Sequence, residues 1–227
     1  MPSSARKHQL EGNLVYHIMN RANRRLEIFC EEEDYLSFKK ILSRYVTKNG
    51  LMIYHYCIMP NHYHLEAELD SPDRLSSIMA GIDRSYTYYF HKKYETSGYL
   101  WQGRFKSKSI QKNMYLLSCG RYIETNPVRA HMVKLASEYP YSSSKHYASG
   151  IKDALIIKNP LYEEFGSTEK ERQYNYREFL ADHYDDQEKI NQVFSDYEQP
   201  LGDNAFKTKL CKKNGRLYPR RQGHVKR

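Results

Sequence analysis

Two histidines, His62 and His64, stand one residue apart in CIMPNHYHLEAEL (57–69), directly after a Met-Pro-Asn corner and at the head of an alternating apolar run. Side chains at i and i+2 of a strand point to the same face. An extended 62–69 therefore brings both imidazoles within reach of one ion, while Tyr63, Leu65, Ala67 and Leu69 take the opposite, core-facing side. Two imidazoles on one face suit a borderline divalent metal and leave its other positions open for substrate and water. The competing role is a polar pair on a half-exposed strand, which loses ground because apolar residues fill every opposite position. Glu66 and Glu68 continue the histidine face. Either carboxylate can ligate a metal or accept a histidine N–H, but the alternation by itself points to a solvated polar stripe.

The elements that must position this pair follow from periodicity. NLVYHIMN (13–20) is strand-like and leads into the basic turn RANRR (21–25). EEEDYLSFKKILSRYVTKN (31–49) opens with acidic residues and spaces Tyr35, Phe38, Ile41, Leu42 and Tyr45 at three and four, the pattern of an amphipathic helix ended by Asn49-Gly50. LMIYHYCIM (51–59) is a strand broken by Pro60-Asn61, and HYHLEAEL (62–69) is the next. Ser71-Pro72-Asp73 starts a helix with Leu75, Ile78, Met79, Ile82, Tyr86, Tyr89 and Phe90 on one side, and Gly98 closes that region. GRFKSKSIQ (103–111) is a further short strand. NMYLLSCGRYIETN (113–126) is a helix capped by Asn113 and ended near Pro127. Gly120 within it costs up to about 1 kcal/mol relative to alanine, which points to a close approach to the sheet or a local bend. The order β-α-β-β-α-β-α predicts an α+β fold, an antiparallel sheet with helices on one face. Beyond about residue 150 the chain is charged and helical, over 168–183, 186–198 and 203–210. CKKNGRLYPRRQGHVKR at the end reads as a flexible basic arm.

The 227 residues carry a formal charge of +9, a balance that favours polyanion partners, nucleic acid first. No run of about 18 apolar residues is present, so no membrane span is expected. The N-terminus lacks the apolar core of a secretory signal. The four cysteines form no CxxC pair, which argues against zinc ribbons and for reduced thiols in a cytoplasm. Tyrosine is abundant, with 22 copies against one tryptophan, and supplies residues able to stack on bases or act as nucleophiles.

MPNHYHL resembles the HUH signature (His, apolar residue, His) of the IS200-like single-tyrosine transposases, above all their REP-associated tyrosine transposase branch. YHIMNRANRRLEIF, SYTYYFHKKY, GYLWQGRFKS, YLLSCGRYIETNPVRA and YPYSSSKHYA resemble that branch in the same order, and LGDNAF with the Arg-rich end does so more loosely. The resemblance implies a ferredoxin-like α+β fold with a helical C-terminal extension. It implies a divalent metal, Mg²⁺ or Mn²⁺, on His62 and His64, with Asn126 as a third, amide-type ligand; zinc stays open. It implies Tyr122 as the nucleophile that attacks a DNA phosphate, giving a 5′-phosphotyrosine and a free 3′-hydroxyl. The implied substrate is single-stranded DNA with palindromic hairpin repeats, cleaved near the hairpin foot in a bacterial cytoplasm.

Beside that resemblance, Tyr122 and Asn126 are four apart and share one helix face. Tyr115 lies seven residues earlier on roughly the same face, but has Cys119 rather than an oxygen ligand at i+4. The plain structural roles are a helix-face aromatic for Tyr122 and a C-terminal cap for Asn126. DNA-contact candidates are Arg21, Arg24, Arg25, Trp101, Arg104, Lys106, Arg121 and Arg129, with Lys108, Tyr99 and Phe105 interleaved. The expected organisation is a catalytic domain over 1–148, a helical extension over 149–211 and a basic tail over 212–227, with a monomer favoured over a dimer. Three functions compete: a tyrosine strand transferase, a water-using metal nuclease, and a non-catalytic DNA-binding regulator.

Overall fold

The computed structural model describes residues 14–182, 192–197 and 199–214. Four strands form one antiparallel sheet: β1 (Val15–Arg21), β2 (Leu51–Met59), β3 (His62–Leu69) and β4 (Lys106–Ile110), in the order β2-β3-β1-β4. Helix α1 (Glu32–Asn49) connects β1 to β2, α2 (Leu75–Tyr94) connects β3 to β4, and α3 (Met114–Glu124) follows β4. This β-α-β-β-α-β arrangement is the ferredoxin-like architecture.

Local chemistry explains the boundaries. Asp34 accepts the backbone N–H groups of Cys30 and Glu31 at the start of α1, and Gly50 in the left-handed region (φ 66°) ends it. The β2–β3 hairpin turns at Pro60-Asn61. Asn113 caps α3 by accepting the N–H of Tyr115.

Alternation divides the sheet into two faces. Tyr16, Ile18, Tyr63, Leu65, Ala67 and Leu69 pack with α1 and α2, where Phe38, Leu42, Ile78, Ile82 and Tyr86 complete the larger core. The expectation of helices on one face holds for these two long helices. α3 takes the other face, where Leu116, Cys119, Tyr122 and Ile123 cover Val15, Cys57 and Met59. Because α3 roofs the histidine face, Glu66 and Glu68 are buried rather than solvated, which corrects the expectation of a polar stripe. Glu68 is satisfied by the Tyr54 hydroxyl (2.6 Å) and the Lys112 ammonium (2.5 Å).

The β2–β3 register shifts between Ile53 and His55. Such a bulge sends two successive side chains to the same face, so His55 joins Tyr54 beneath α3 instead of pointing into the larger core. Gly120 answers it, since a Cβ there would stand 2.7 Å from the His55 ring. Of the two roles expected for Gly120, the close approach is the one observed. Downstream, α4 (Asn126–Arg129), α5 (Ser144–Ser149), α6 (Glu169–Ala181) and α7 (Asn204–Asn214) follow. Residues of this half return to the sheet: Ile156 bridges Ile53, and Leu201 bridges Ile110. The helix Asn204–Asn214 takes in the first three residues of the expected basic tail (212–227), and the rest, from residue 215 onward, lies outside the described residues.

Candidate active site

β3 presents His62 at its first residue and His64 two residues on, and β1 lines up against them. Arg21 pairs with His62, Met19 with His64, and His17 with Glu66. The two imidazole centroids are 5.1 Å apart. Each ring has its Nδ1 engaged: that of His62 lies 2.5 Å from Asn61 Oδ1, and that of His64 lies 2.8 Å from Nε2 of His17. Nε2 is thus the nitrogen left on each ring for a ligand. Burial, with the Arg21 charge adding, lowers His62 to about 3. Burial and the neighbouring cationic groups hold His64 well below 6.5. Neutral imidazoles with Nδ1 tied to an outer partner are what a divalent metal requires of its ligands, so the pair fits one. Among the described residues no three His, Cys, Asp or Glu side chains gather into a metal cage, so an ion here depends on other donors for its remaining positions.

Tyr122 on α3 reaches the same spot. Its ring stands edge-on to His64 (centroids 6.0 Å apart, 89°) and to His17 (5.9 Å, 76°), and the residue is 7% exposed. Burial raises the phenol above its ordinary pKa, and the Arg129 guanidinium works against that rise. Arg129 lies 4.2 Å from the ring centroid and donates to the Tyr122 carbonyl (2.8 Å) and to Thr125 Oγ1 (2.6 Å). Asn126 donates its Nδ2 to the carbonyls of Tyr122 (3.0 Å) and Ile123 (3.2 Å), a helix-end role that leaves its Oδ1 outside these bonds. Tyr115 is half-buried against the smaller core.

The segment 192–197 covers this centre. Phe194 lies flat on Tyr122 (4.4 Å, 17°), and the Tyr197 hydroxyl is 3.2 Å from His17 Nε2. Lys108 is buried and donates to the carbonyl of Val193 (2.7 Å); burial lowers its ammonium to about 8.

The remaining basic candidates distribute unevenly. Arg24 and Arg25 are exposed at the edge beside His62, both with left-handed φ (53° and 58°), and the Arg25 carbonyl accepts from Asn61. Two consecutive non-glycine residues in that region cost of order 1 kcal/mol or more each. Lys106 is exposed near Tyr197, and Arg104 is exposed in the preceding loop. Arg121, one residue from Tyr122, is rotated away: it is buried, bonded to Asp182 and stacked on Phe179. Trp101 lies on the α2 side of the sheet, bonded to Asp83 O and Thr87 and packed on Tyr63. Phe105 is core, and Tyr99 is 92% exposed. Sequence reasoning missed His17, His55, Phe194 and Tyr197. His17 carried a signal, being centred in a strand-like YHIM, but its facing partner depends on the β1–β3 register.

Residues 11–126, just over half of the chain, match the family profile described as Transposase IS200 like. Over 98 residues the chain is 32% identical to a Haemophilus influenzae protein assigned as a REP-associated tyrosine transposase, covering 38% of this chain and 55% of that relative. It thus spans about half the length of the curated relative it matches. The fold superposes with a TM-score of 0.57 on the structure of a REP-associated tyrosine transposase bound to a REP hairpin, at 20% identity, over 69% of this chain and 92% of that one. The matched region takes in β1 through α3, with His62, His64 and Tyr122 inside it, and the chain belongs to the IS200-like transposase family.

Proposed function

We propose that this chain is a metal-dependent endonuclease and strand transferase for single-stranded DNA, cutting near the foot of hairpin-forming repeats through a 5′-phosphotyrosine. The observation that carries the proposal is the placement of Tyr122 edge-on to His64. His62 and His64 would hold Mg²⁺ or Mn²⁺ through Nε2, with Asn126 Oδ1 as the third donor; the ion would supply Lewis-acid polarisation of the scissile phosphate.

Tyr122 Oη attacks phosphorus, the bond from phosphorus to the 3′-oxygen breaks, and the 3′-oxygen leaves as a hydroxyl, so the proton lost by the phenol is balanced. A phenol with an ordinary pKa near 10 is a weak nucleophile, and burial weakens it further. Arg129 is the residue that draws the phenolate form back toward use. The phosphotyrosyl bond conserves the phosphodiester energy, so an incoming 3′-hydroxyl reverses the step without ATP. Arg21, Arg24, Arg25 and Lys106 border the site and contact phosphates, while Tyr99 offers an exposed ring for base stacking. Arg104 and Trp101 serve the loop that leads into β4, and Arg121 acts through the position of α3. The proposed partner is an imperfect palindromic hairpin; the solved relative is bound to a REP hairpin.

The working organisation is a catalytic domain over 1–148 with a helical extension to 211, acting as a monomer in a bacterial cytoplasm. Among the described residues no helix is long and apolar enough to cross a membrane.

Incubation with single-stranded hairpin DNA and Mn²⁺, followed by a denaturing protein gel, tests the mechanism. A DNA-labelled, slow-migrating band lost in Tyr122→Phe and in His64→Ala is expected. Cleaved DNA without an adduct, unaffected by Tyr122→Phe, points instead to a water-using nuclease. Metal-independent binding with no cleavage points to a regulator.

A further inference from the structure

His17 is fully buried in the middle of β1, and the chemistry above does not use it. Its Nε2 meets Nδ1 of His64 at 2.8 Å and the Tyr197 hydroxyl at 3.2 Å, whereas its own Nδ1 has no hydrogen-bond partner among the described residues. Directly across the β1–β3 ladder stands Glu66, 0% exposed, and neither of its carboxyl oxygens has an N–H or O–H partner among the described residues. The groups that approach Glu66 fall short. His55 Nε2 is 3.7 Å away, and the Cys119 thiol beside the carboxyl is a weak donor. An unpartnered buried polar atom costs about 1–3 kcal/mol and is rare in folded proteins. Here three such atoms belong to two residues that are register partners, and their bonding needs are complementary.

We propose that His17 and Glu66 form an outer support for His64, in which His64 donates its Nδ1–H to His17 and His17 donates its Nδ1–H to Glu66. The proposal rests on His64 being a metal ligand. An imidazole that ligates through Nε2 carries its proton on Nδ1. His17 Nε2, 2.8 Å away, must then accept, which sends the proton of His17 to its own Nδ1. The Tyr197 hydroxyl, at 3.2 Å, is the longer approach to that Nε2, whose single lone pair His64 takes. Of the two cross-strand partners of His17, Lys108 is a donor only and is bonded to Val193 O. Glu66 is the partner able to accept. Directly opposed strand residues have Cβ atoms about 4.5–5.5 Å apart, so the remaining bond needs side-chain rotation and no movement of strands. Both residues are positioning residues: they fix the tautomer and orientation of a ligand from opposite sides of one ladder. Asn61 does the same for His62.

Calorimetric titration of the full chain with Mn²⁺, without DNA, tests the support apart from catalysis. His17→Ala is expected to weaken Mn²⁺ binding about tenfold to a hundredfold, the usual effect of removing an outer partner, while His64→Ala abolishes it. Glu66→Gln keeps an acceptor oxygen and stays close to wild type. Glu66→Leu falls to the level of His17→Ala, and the double variant falls no further. Wild-type affinity in His17→Ala, with binding lost in His64→Ala, overturns the support and leaves the metal site standing. No Mn²⁺ binding by the wild type removes the metal reading and this proposal with it. Should the variants unfold, nitrogen-15 correlation spectra of the Mg²⁺-saturated wild type decide: His17 protonated on Nδ1 is expected, and a proton on Nε2 overturns the assignment.

Discussion

An alanine at position 120 would gain about 1 kcal/mol of helix propensity over glycine, but its Cβ would meet the His55 ring at 2.7 Å. That ring has little room to retreat. Its Nδ1 is bonded to Glu124 Oε1 (2.9 Å), its Nε2 to Asn159 (3.0 Å), and its face stacks on Tyr147 at 4.6 Å. Glu124 is itself fixed by Ser143 (2.5 Å) and Tyr176 (2.8 Å). Overpacking a core of this kind costs about 1–3 kcal/mol, so strain outweighs propensity. Gly120→Ala should lower the melting temperature by several degrees, at about 2–4 °C per kcal/mol for a chain of this size. Because α3 carries Tyr122 and leads directly into Asn126 while β3 carries the histidines, adduct formation should fall, and Mn²⁺ binding should weaken but persist on the two histidines. A higher melting temperature would mean that α3 can lift off His55 at no cost. That His62 and His64 share one strand face was legible in the sequence because it follows from local spacing, whereas Tyr122 was singled out over Tyr115 by the family resemblance. His17, His55 and the burial of Glu66 were not legible, because each depends on which strand lies alongside and on a one-residue bulge.

At the scale of elements, the strands and helices that build the site follow from alternation, capping and the Pro60-Asn61 corner, all of which act over a few residues. What covers the site does not. The segment 192–197 lies about seventy residues beyond Tyr122, and its docking comes from long-range contacts: Phe194 on the Tyr122 ring, Lys108 to Val193 O, and Tyr197 to His17. Short segments held by a few contacts open at lower free energy than the core beneath them. Phe194 covers one face of the ring assigned as nucleophile, so on the proposed mechanism opening this segment would free Tyr122 for DNA. Phe194→Ala removes the stacked ring and should raise the rate of covalent adduct formation, with Tyr122 more readily iodinated in the absence of DNA. A slower rate, with unchanged DNA affinity, would assign Phe194 to the active arrangement, where it holds the tyrosine ring in place.

For the molecule as a whole, burying this site sets the response to acid. In the metal-free chain, folding brings three histidines to places where the imidazolium is disfavoured: His17 and His62 fall to about 3, and His64 falls well below 6.5, in each case chiefly through burial. Between pH 6.5 and about 3 the unfolded chain holds more protons at these positions than the folded one. Stability therefore drops as pH drops, by about 1.4 kcal/mol per pH unit for each unbalanced proton. Glu66 has the opposite sign. Burial raises its carboxyl well above 4.5, so above that pH the folded chain keeps a proton that the unfolded chain has lost, and the benefit shrinks as pH rises. From 6.5 to 4.5 this one proton offsets part of the three at the histidines; below 4.5 both states hold it and the offset ends. Urea unfolding of the chelator-treated protein should therefore show stability falling below pH 6.5 and falling more steeply below 4.5. Glu66→Gln removes the offset and steepens the upper part of the curve by up to about 1.4 kcal/mol per pH unit. Added Mn²⁺, which binds neutral imidazoles, should stabilise the wild type at pH 6.5, keep that effect at pH 4.5, and lose it toward pH 3, where His62 takes up a proton in the folded chain. A flat curve between 6.5 and 4.5 would mean that the three imidazoles meet water in the folded chain, and that the roof formed by α3 and Phe194 stands open.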